Sequence, residues 1–125
     1  MGYSIYFNEG SGLRIDPPLL WKDEDELREI LKARHDEPGA PDIWTNLQLE
    51  GGERLVPEFE CRGNVVGWIR VLLKDFLIPR GRRLLGSLSW VGDDRGDYGK
   101  IICTGTTVLV YDGVVQVYWK RRKDG

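Results

Sequence analysis

The segment from Arg62 to Leu77 constrains the fold of this chain more than any other stretch. Its apolar residues recur at intervals of three and four, namely Val65, Val66, Ile69, Leu72, Leu73, Phe76 and Leu77. This spacing places them along one side of a helix. Asn64 is suited to cap the first turn, and Pro79 is suited to end the run. A helix this one-sided has to be covered, so we expect it to lie across a sheet.

Alternation with a period of two predicts strands on both sides of this helix in the chain. The extended segments are residues 2–9, 13–15, 43–50, 54–61, 80–91, 100–111 and 114–120. Within 43–50 the pattern turns Ile43 inward and Trp44 outward. Pro57 predicts an edge position for 54–61, because proline has no amide hydrogen for a second neighbour. Asp112 and Gly113 form the dipeptide most typical of a tight hairpin.

A second, shorter helix is predicted over about residues 23–35, with Asp23 and Glu26 forming a reciprocal capping box. The element order is then ββαββαβββ, with strands outnumbering helices and no long crossover between parallel strands. The sequence therefore predicts an α+β class, in which two helices pack on a largely antiparallel sheet. At 125 residues the chain fits a single domain over 1–125, with a basic tail at 120–125 that is either ordered or disordered.

Composition indicates an ordinary globular protein, with 41% hydrophobic and 30% charged residues. We find no signal-peptide pattern and no apolar run of membrane-spanning length, so we expect a cytoplasmic protein without a membrane partner. Cys61 and Cys103 are expected to be reduced and buried rather than bridged. Residues 1–60 carry a net charge of −8 and residues 61–125 a net charge of +6. Folding either interleaves these charges or leaves a dipolar surface.

The residues offer little for catalysis. His35 is the only histidine, and it falls at the end of the first predicted helix, where a cation suits the helix dipole. We find no nucleotide-binding loop, nucleophile elbow or zinc-ligand spacing. Asp93, Asp94 and Asp97 lie close together in a glycine-rich loop, which suits either a solvated turn or a weak cation site. We therefore predict no catalytic residue, no cofactor and no structural metal.

Basic residues form the best-defined chemical cluster. Arg80, Arg82 and Arg83 precede one strand, and Lys120, Arg121 and Arg122 end the last. Cationic groups beside exposed aromatic rings bind single-stranded nucleic acid. Against this, Trp90 and Trp119 are in phase with apolar neighbours, which places both indoles on the covered face.

Several short blocks resemble a group of uncharacterised small proteins of actinobacteria and their phages. These blocks are the opening Gly-Tyr, the run from Ile15 to Trp21, the segment from Pro79 through Gly-Ser-Leu-Ser-Trp, the later Gly-Asp-Tyr turn, and the Val-x-Asp-Gly-x-Val-like hairpin around Asp112 and Gly113. The resemblance covers about half of the chain and brings no functional residue with it. It implies an origin in a phage or mobile element, where small proteins commonly bind a host protein.

Two hypotheses follow from the sequence. The first is a non-enzymatic interaction protein that binds a host protein, and the alternative is a nucleic-acid-binding protein that uses the arginine cluster and the basic tail. The residues we expect to touch a partner are Trp44, Trp68, Arg80, Arg82, Arg83, Lys120, Arg121 and Arg122. A homodimer is compatible with the predicted edge strands.

Overall fold

The computed structural model describes residues 3–8, 10–114 and 118–121, with the backbone alone for 114 and 118–121. Within these ranges the chain forms an antiparallel sheet with two helices packed on it, which confirms the predicted α+β class. The elements are β1 (Ile5–Phe7), β2 (Leu13–Asp16), α1 (Trp21–Lys32), β3 (Leu47–Glu50), β4 (Arg54–Pro57), β5 (Glu60–Cys61), α2 (Val65–Leu72), β6 (Arg83–Gly92), β7 (Tyr98–Gly105), β8 (Val108–Val114) and β9 (Tyr118–Arg121).

β6 organises the sheet, whose main order is β3-β4-β2-β6-β7-β8-β9. β7 pairs along one side of β6 over residues 84–91, whereas β2 and β1 share the other side. Trp90 pairs with Phe7, and Leu85 pairs with Arg14. The chain takes seven residue steps from Phe7 to Arg14 where β6 takes five, so the connection between β1 and β2 carries two extra residues. Together β1 and β2 act as one interrupted strand.

The predicted strand over 54–61 is divided in the same way, and the part that contains Pro57 is not at the edge of the sheet. β4 lies between β3 and β2, and β5 pairs with β1. The edge prediction is wrong because the pairing of β2 with β4 ends at Leu55, so no amide of Pro57 is needed for that ladder. The interruption between β4 and β5 also turns Phe59 outward, where 67% of it is exposed.

The organising helix forms as expected, although it changes type along its length. The Asn64 side chain accepts a hydrogen bond from the Gly67 amide at 2.9 Å, which confirms the predicted cap. α2 is followed by a π-helical turn over Leu73–Leu77 and a 3-10 turn over Ile78–Arg80, and Gly81 then ends the helical run with a φ of 73°. Six of the seven residues in the predicted stripe are buried, Val66 being partly buried.

α1 begins two residues earlier than predicted, and its capping box is absent. Leu20 occupies the cap position without a side-chain hydrogen bond. Asp23 and Glu26 instead contact Arg80, each through a nitrogen–oxygen distance of 3.2 Å. The two carboxylates therefore join α1 to the end of the second helical run rather than closing the first turn of α1.

The predicted hairpin at Asp112 and Gly113 is wrong. Both residues lie inside β8, where Asp112 pairs with Gly99 on one side and Lys120 on the other. The chain turns earlier, between β7 and β8, where the Thr104 amide donates to the Thr107 carbonyl at 3.0 Å. The predicted basic tail is also shorter, because Lys120 and Arg121 belong to β9; residues 122–125 lie outside the described part.

The core lies between the helices and one face of the sheet. Alternate strand residues such as Leu84, Leu88, Trp90 and Ile101 face it, which confirms the predicted inward position of Trp90. The side chain of Trp119 lies outside the described part. In the described ranges, no helix has the length and apolar character needed to cross a membrane.

Candidate functional site

The loop between α1 and β3, residues 33–46, presents the most prominent apolar group next to a concave surface. Half of Trp44 is exposed, and Ile43 beside it is 38% exposed. The two residues line a concavity of about 640 Å³ that Glu60 and Arg62 also line. We call Ile43, Trp44, Glu60 and Arg62 the Trp44 surface. A large exposed indole beside a concavity is a common anchor for a protein partner.

A network of hydrogen bonds fixes the loop that carries this surface. The Asp42 carboxylate accepts the Ile43 amide at 2.8 Å and the Asn64 amide at 3.0 Å, which joins the loop to the start of α2. The hydroxyl of buried Thr45 donates to the Leu31 carbonyl at 2.8 Å, which joins it to the end of α1. The loop that carries Trp44 is thus already held in place, so binding through Trp44 costs little conformational entropy.

Trp68 lies beneath this loop and is not a surface residue. Only 3% of it is exposed, and its indole nitrogen donates to the Asp42 carbonyl at 3.2 Å. The prediction that Trp68 touches a partner is therefore wrong. Its position three residues after Val65 and four before Leu72 puts it on the covered side of α2, a position that the predicted stripe did not include.

His35 sits between α1, the loop and Trp68, and only 12% of its side chain is exposed. Its Nε2 lies 2.8 Å from the Ile30 carbonyl, and its Nδ1 lies 2.9 Å from a Glu37 carboxylate oxygen. Burial lowers the pKa of His35, but the hydrogen bonds to Ile30 and Glu37 outweigh it, so the pKa is raised above its ordinary value. When it is protonated, the ring can donate from both nitrogens to these two acceptors.

Charged groups frame the Trp44 surface in pairs. The Arg34 guanidinium lies 6.0 Å from the centre of the Trp44 ring and also bonds the Asp36 carboxylate at 3.0 Å. A guanidinium nitrogen of Arg62, which also lines the concavity, lies 3.4 Å from a carboxylate oxygen of Glu60, and that carboxylate accepts the Ser4 hydroxyl at 2.8 Å. Paired charges of this kind at the rim favour orientation of a partner more than binding strength.

The predicted arginine cluster does not form one free basic patch. Arg80 is engaged by Asp23 and Glu26, and its guanidinium lies 3.7 Å from the centre of the Phe76 ring. Arg82 donates to the carbonyls of Arg80 and Pro18 at 2.8 and 2.9 Å. Arg83 is exposed at the start of β6.

The three predicted basic residues near the C-terminus are not placed with the Trp44 surface by any described contact. Lys120 and Arg121 lie on β9, which pairs with β8 at the far side of the sheet from β3 and β4. Their side chains lie outside the described part, as does all of Arg122.

The aspartate loop after β6 is attached to the start of the chain. Asp93 accepts hydrogen bonds from the Ser4 amide and the Tyr6 hydroxyl, each at 2.9 Å. Asp97 accepts one from the Tyr3 hydroxyl. The carboxylates of Asp93 and Asp97 thus accept hydrogen bonds from β1 and from the residues that precede it. Among the described residues, no group of three or more potential ligands is arranged to hold a metal ion.

The two thiols are buried and separate from the concavity. Burial is the largest effect on each, and it raises the pKa of Cys61 and of Cys103 to about 12. Both are free, as expected from the sequence. A thiol with such a pKa is a poor nucleophile at neutral pH, because the thiolate is the reactive form.

Sequence reasoning identified Trp44 but missed the residues that complete its surroundings. Ile43 is the clearest case, since the alternation turned it inward, whereas the strand begins only at Leu47. Asn46 has a φ of 58°, which breaks the extended backbone before β3. Glu60 and Arg62 come from a distant part of the chain, and no local pattern signals that they line the same concavity as Trp44.

Comparisons with protein-family models, with curated proteins and with solved structures give no match to this chain. The interpretation of the site therefore depends on its geometry.

Proposed function

We propose that this chain is a non-enzymatic interaction protein that binds a partner protein through the Trp44 surface. The observation that carries the proposal is the half-exposed indole of Trp44 at the mouth of the concavity, beside exposed Ile43. Aromatic anchors in such positions supply a large share of the binding free energy in protein complexes. The concavity receives a side chain of the partner while the indole covers a neighbouring apolar group.

The placement of the reactive side chains supports the same proposal. Cys61 and Cys103 are buried, and both nitrogens of His35 are engaged by acceptors within the chain. None of these three side chains lines the concavity beside Trp44. The sequence resembles proteins of actinobacteria and their phages, so the expected class of partner is a protein of the actinobacterial host.

The test is affinity capture from an actinobacterial lysate with matched tryptophan variants, with and without nuclease. Trp21 offers the control, because it is 72% exposed on α1 and lies outside the concavity. We expect a protein to be retained by the wild type and by Trp21→Ala but lost with Trp44→Ala, and nuclease treatment to leave it in place. Equal retention by both variants would contradict the proposal.

The nuclease arm also tests the nucleic-acid alternative, which stays a prediction. Of the first arginine group, Arg83 is the exposed member that has no ion pair among the described residues. Material that is retained only without nuclease, and that Arg83→Gln releases at about 0.2 M salt, would favour the alternative. A second copy of the chain as the retained protein would indicate a homodimer.

A further inference from the structure

His35 joins the three parts of the chain that support the Trp44 surface. Its ring bonds the last turn of α1 through the Ile30 carbonyl and packs on Trp68 of α2, with 4.5 Å between the ring centres. Its backbone amide donates to the Ile43 carbonyl at 2.8 Å. Ile43 is the immediate neighbour of Trp44, so the same residue fixes both ends of the loop.

We propose that protonated His35 holds the loop 33–46 in place, and that loss of its proton loosens the Trp44 surface. The imidazolium donates two N–H groups, one to the Ile30 carbonyl and one to the Glu37 carboxylate. The neutral ring has one N–H for these two acceptors. Deprotonation therefore leaves one ring nitrogen facing an oxygen that cannot donate to it.

The exposed acceptor is the one that is released. Glu37 is 56% exposed and can turn to water, whereas the Ile30 carbonyl belongs to the last turn of α1. The neutral ring then keeps its N–H on Ile30 and loses the bond that holds residue 37 to residue 35. The segment from Glu37 to Ile43 thereby loses one of its two contacts with His35.

The charges around the ring set the direction of the pH effect. Asp36 and Glu37 of its own loop are the charged groups that face it and favour the imidazolium, and Arg34 is drawn to Asp36. α1 presents the Ile30 carbonyl and α2 presents the Trp68 ring, and neither of these titrates. The pKa of folded His35 lies above the ordinary value of 6.5, since the hydrogen bonds and these charges outweigh burial. Stabilisation by the proton is complete below the ordinary value and disappears as the pH rises through the folded pKa.

The loop responds through two contacts to the residues that precede Trp44. The Ile43 carbonyl is bonded to the His35 amide, and the Asp42 carbonyl is bonded to the indole of Trp68, on which the His35 ring packs. A shift of the ring changes the support of residues 42 and 43 together. The binding consequence depends on the proposed function, whereas the change in the loop does not.

The test is an NMR titration of the full chain from about pH 5.5 to about pH 8.5. His35 is the only histidine, so its ring signals need no separation from others. We expect a midpoint above 6.5, with the Ile43 amide and the Trp44 indole N–H shifting at the same midpoint. We expect Glu37→Gln to lower that midpoint, and Glu29→Gln, an exposed carboxylate on α1, to leave it unchanged.

A His35 midpoint at or below the ordinary value would overturn the proposal, as would Ile43 and Trp44 signals that do not follow it. Capture of the partner at about pH 6 and about pH 8 is a separate measurement. If the loop titrates as expected while Trp44→Ala still captures the partner, the proposed role of His35 is supported and the proposed function is overturned. If Trp44→Ala abolishes capture while the loop is unaffected by pH, the proposed function is supported and the proposed role of His35 is overturned.

Discussion

At the scale of single residues, two tryptophans that look equivalent in the sequence lie in opposite surroundings. Trp68 is covered by the loop and bonded to the Asp42 carbonyl, whereas Trp44 is half exposed above the same loop. Both residues are indoles among polar and apolar neighbours, so residue type alone does not separate them. The helical spacing separates them, because it places Trp68 with Val65 and Leu72.

This difference predicts opposite effects on folding stability. We expect Trp68→Ala to lower the free energy of unfolding by about 3–5 kcal/mol, because it leaves a large cavity in the core. We expect Trp44→Ala to change it by about 1 kcal/mol or less, as is usual for an exposed residue. Urea unfolding followed by circular dichroism measures both. Equal losses would show that the indole of Trp44 is also part of the core.

The buried thiols give a second prediction at this scale. Because the pKa of Cys61 and of Cys103 is raised to about 12, we expect neither to react with a chromogenic disulfide at about pH 8 in the native protein. Both should react once the chain is unfolded in denaturant. Rapid reaction of one thiol in the native state would mean that its surroundings open to solvent.

At the scale of elements, the spacing of apolar residues predicted a helix or strand correctly where the packing follows that spacing. It was not sufficient where a neighbouring strand imposes a different requirement. The stripe of α2 and the alternation of β6 follow from spacing alone. Asp112 and Gly113 have the composition of a hairpin, yet the glycine serves a different need. A Cβ at position 113 would collide with the ring of Tyr98 on the neighbouring strand. The small residue permits this close approach, which no local pattern reveals.

The actual turn between β7 and β8 uses a less typical sequence. Gly105 has a φ of 114°, which favours glycine, and it precedes Thr106 and Thr107 at the tip. The dipeptide Asp-Gly is a stronger local signal for a hairpin turn than Gly-Thr, so the predicted turn lies several residues after the actual one.

The edge strand β3 is protected by a side chain from α1. The Arg28 guanidinium donates to the Leu49 carbonyl at 2.7 Å, and the Thr45 hydroxyl accepts the Leu47 amide at 3.2 Å. These bonds occupy groups on the side of β3 away from β4, where another chain could otherwise pair. Arg28 also bonds Glu24 at 2.8 Å, which holds it in place.

We expect Arg28→Ala to increase self-association with rising protein concentration, because it uncovers the Leu49 carbonyl at the edge. Lys32→Ala is the matched control, since Lys32 lies four residues further along α1 and pairs with Glu29 of the same helix. Sedimentation velocity over a concentration series measures the difference. If the two variants sediment alike, protection of this edge does not depend on Arg28.

At the scale of the whole molecule, folding brings the two oppositely charged halves of the sequence into contact. Arg80 of the basic half bonds Asp23 and Glu26 of the acidic half. The sequence predicted the fold class and one residue of the candidate site. It did not predict the concavity, because the walls of the concavity come from segments whose pairing is set by long-range packing.

A binding measurement with purified proteins tests directly whether the Trp44 surface binds a partner protein. Isothermal titration of the captured partner gives its affinity for the wild type, Trp44→Ala and Trp21→Ala. We expect Trp44→Ala to weaken binding at least about tenfold, which corresponds to about 1.4 kcal/mol, and Trp21→Ala to bind as the wild type does. An unchanged affinity for Trp44→Ala, with the variant folded, would contradict the assignment of this surface.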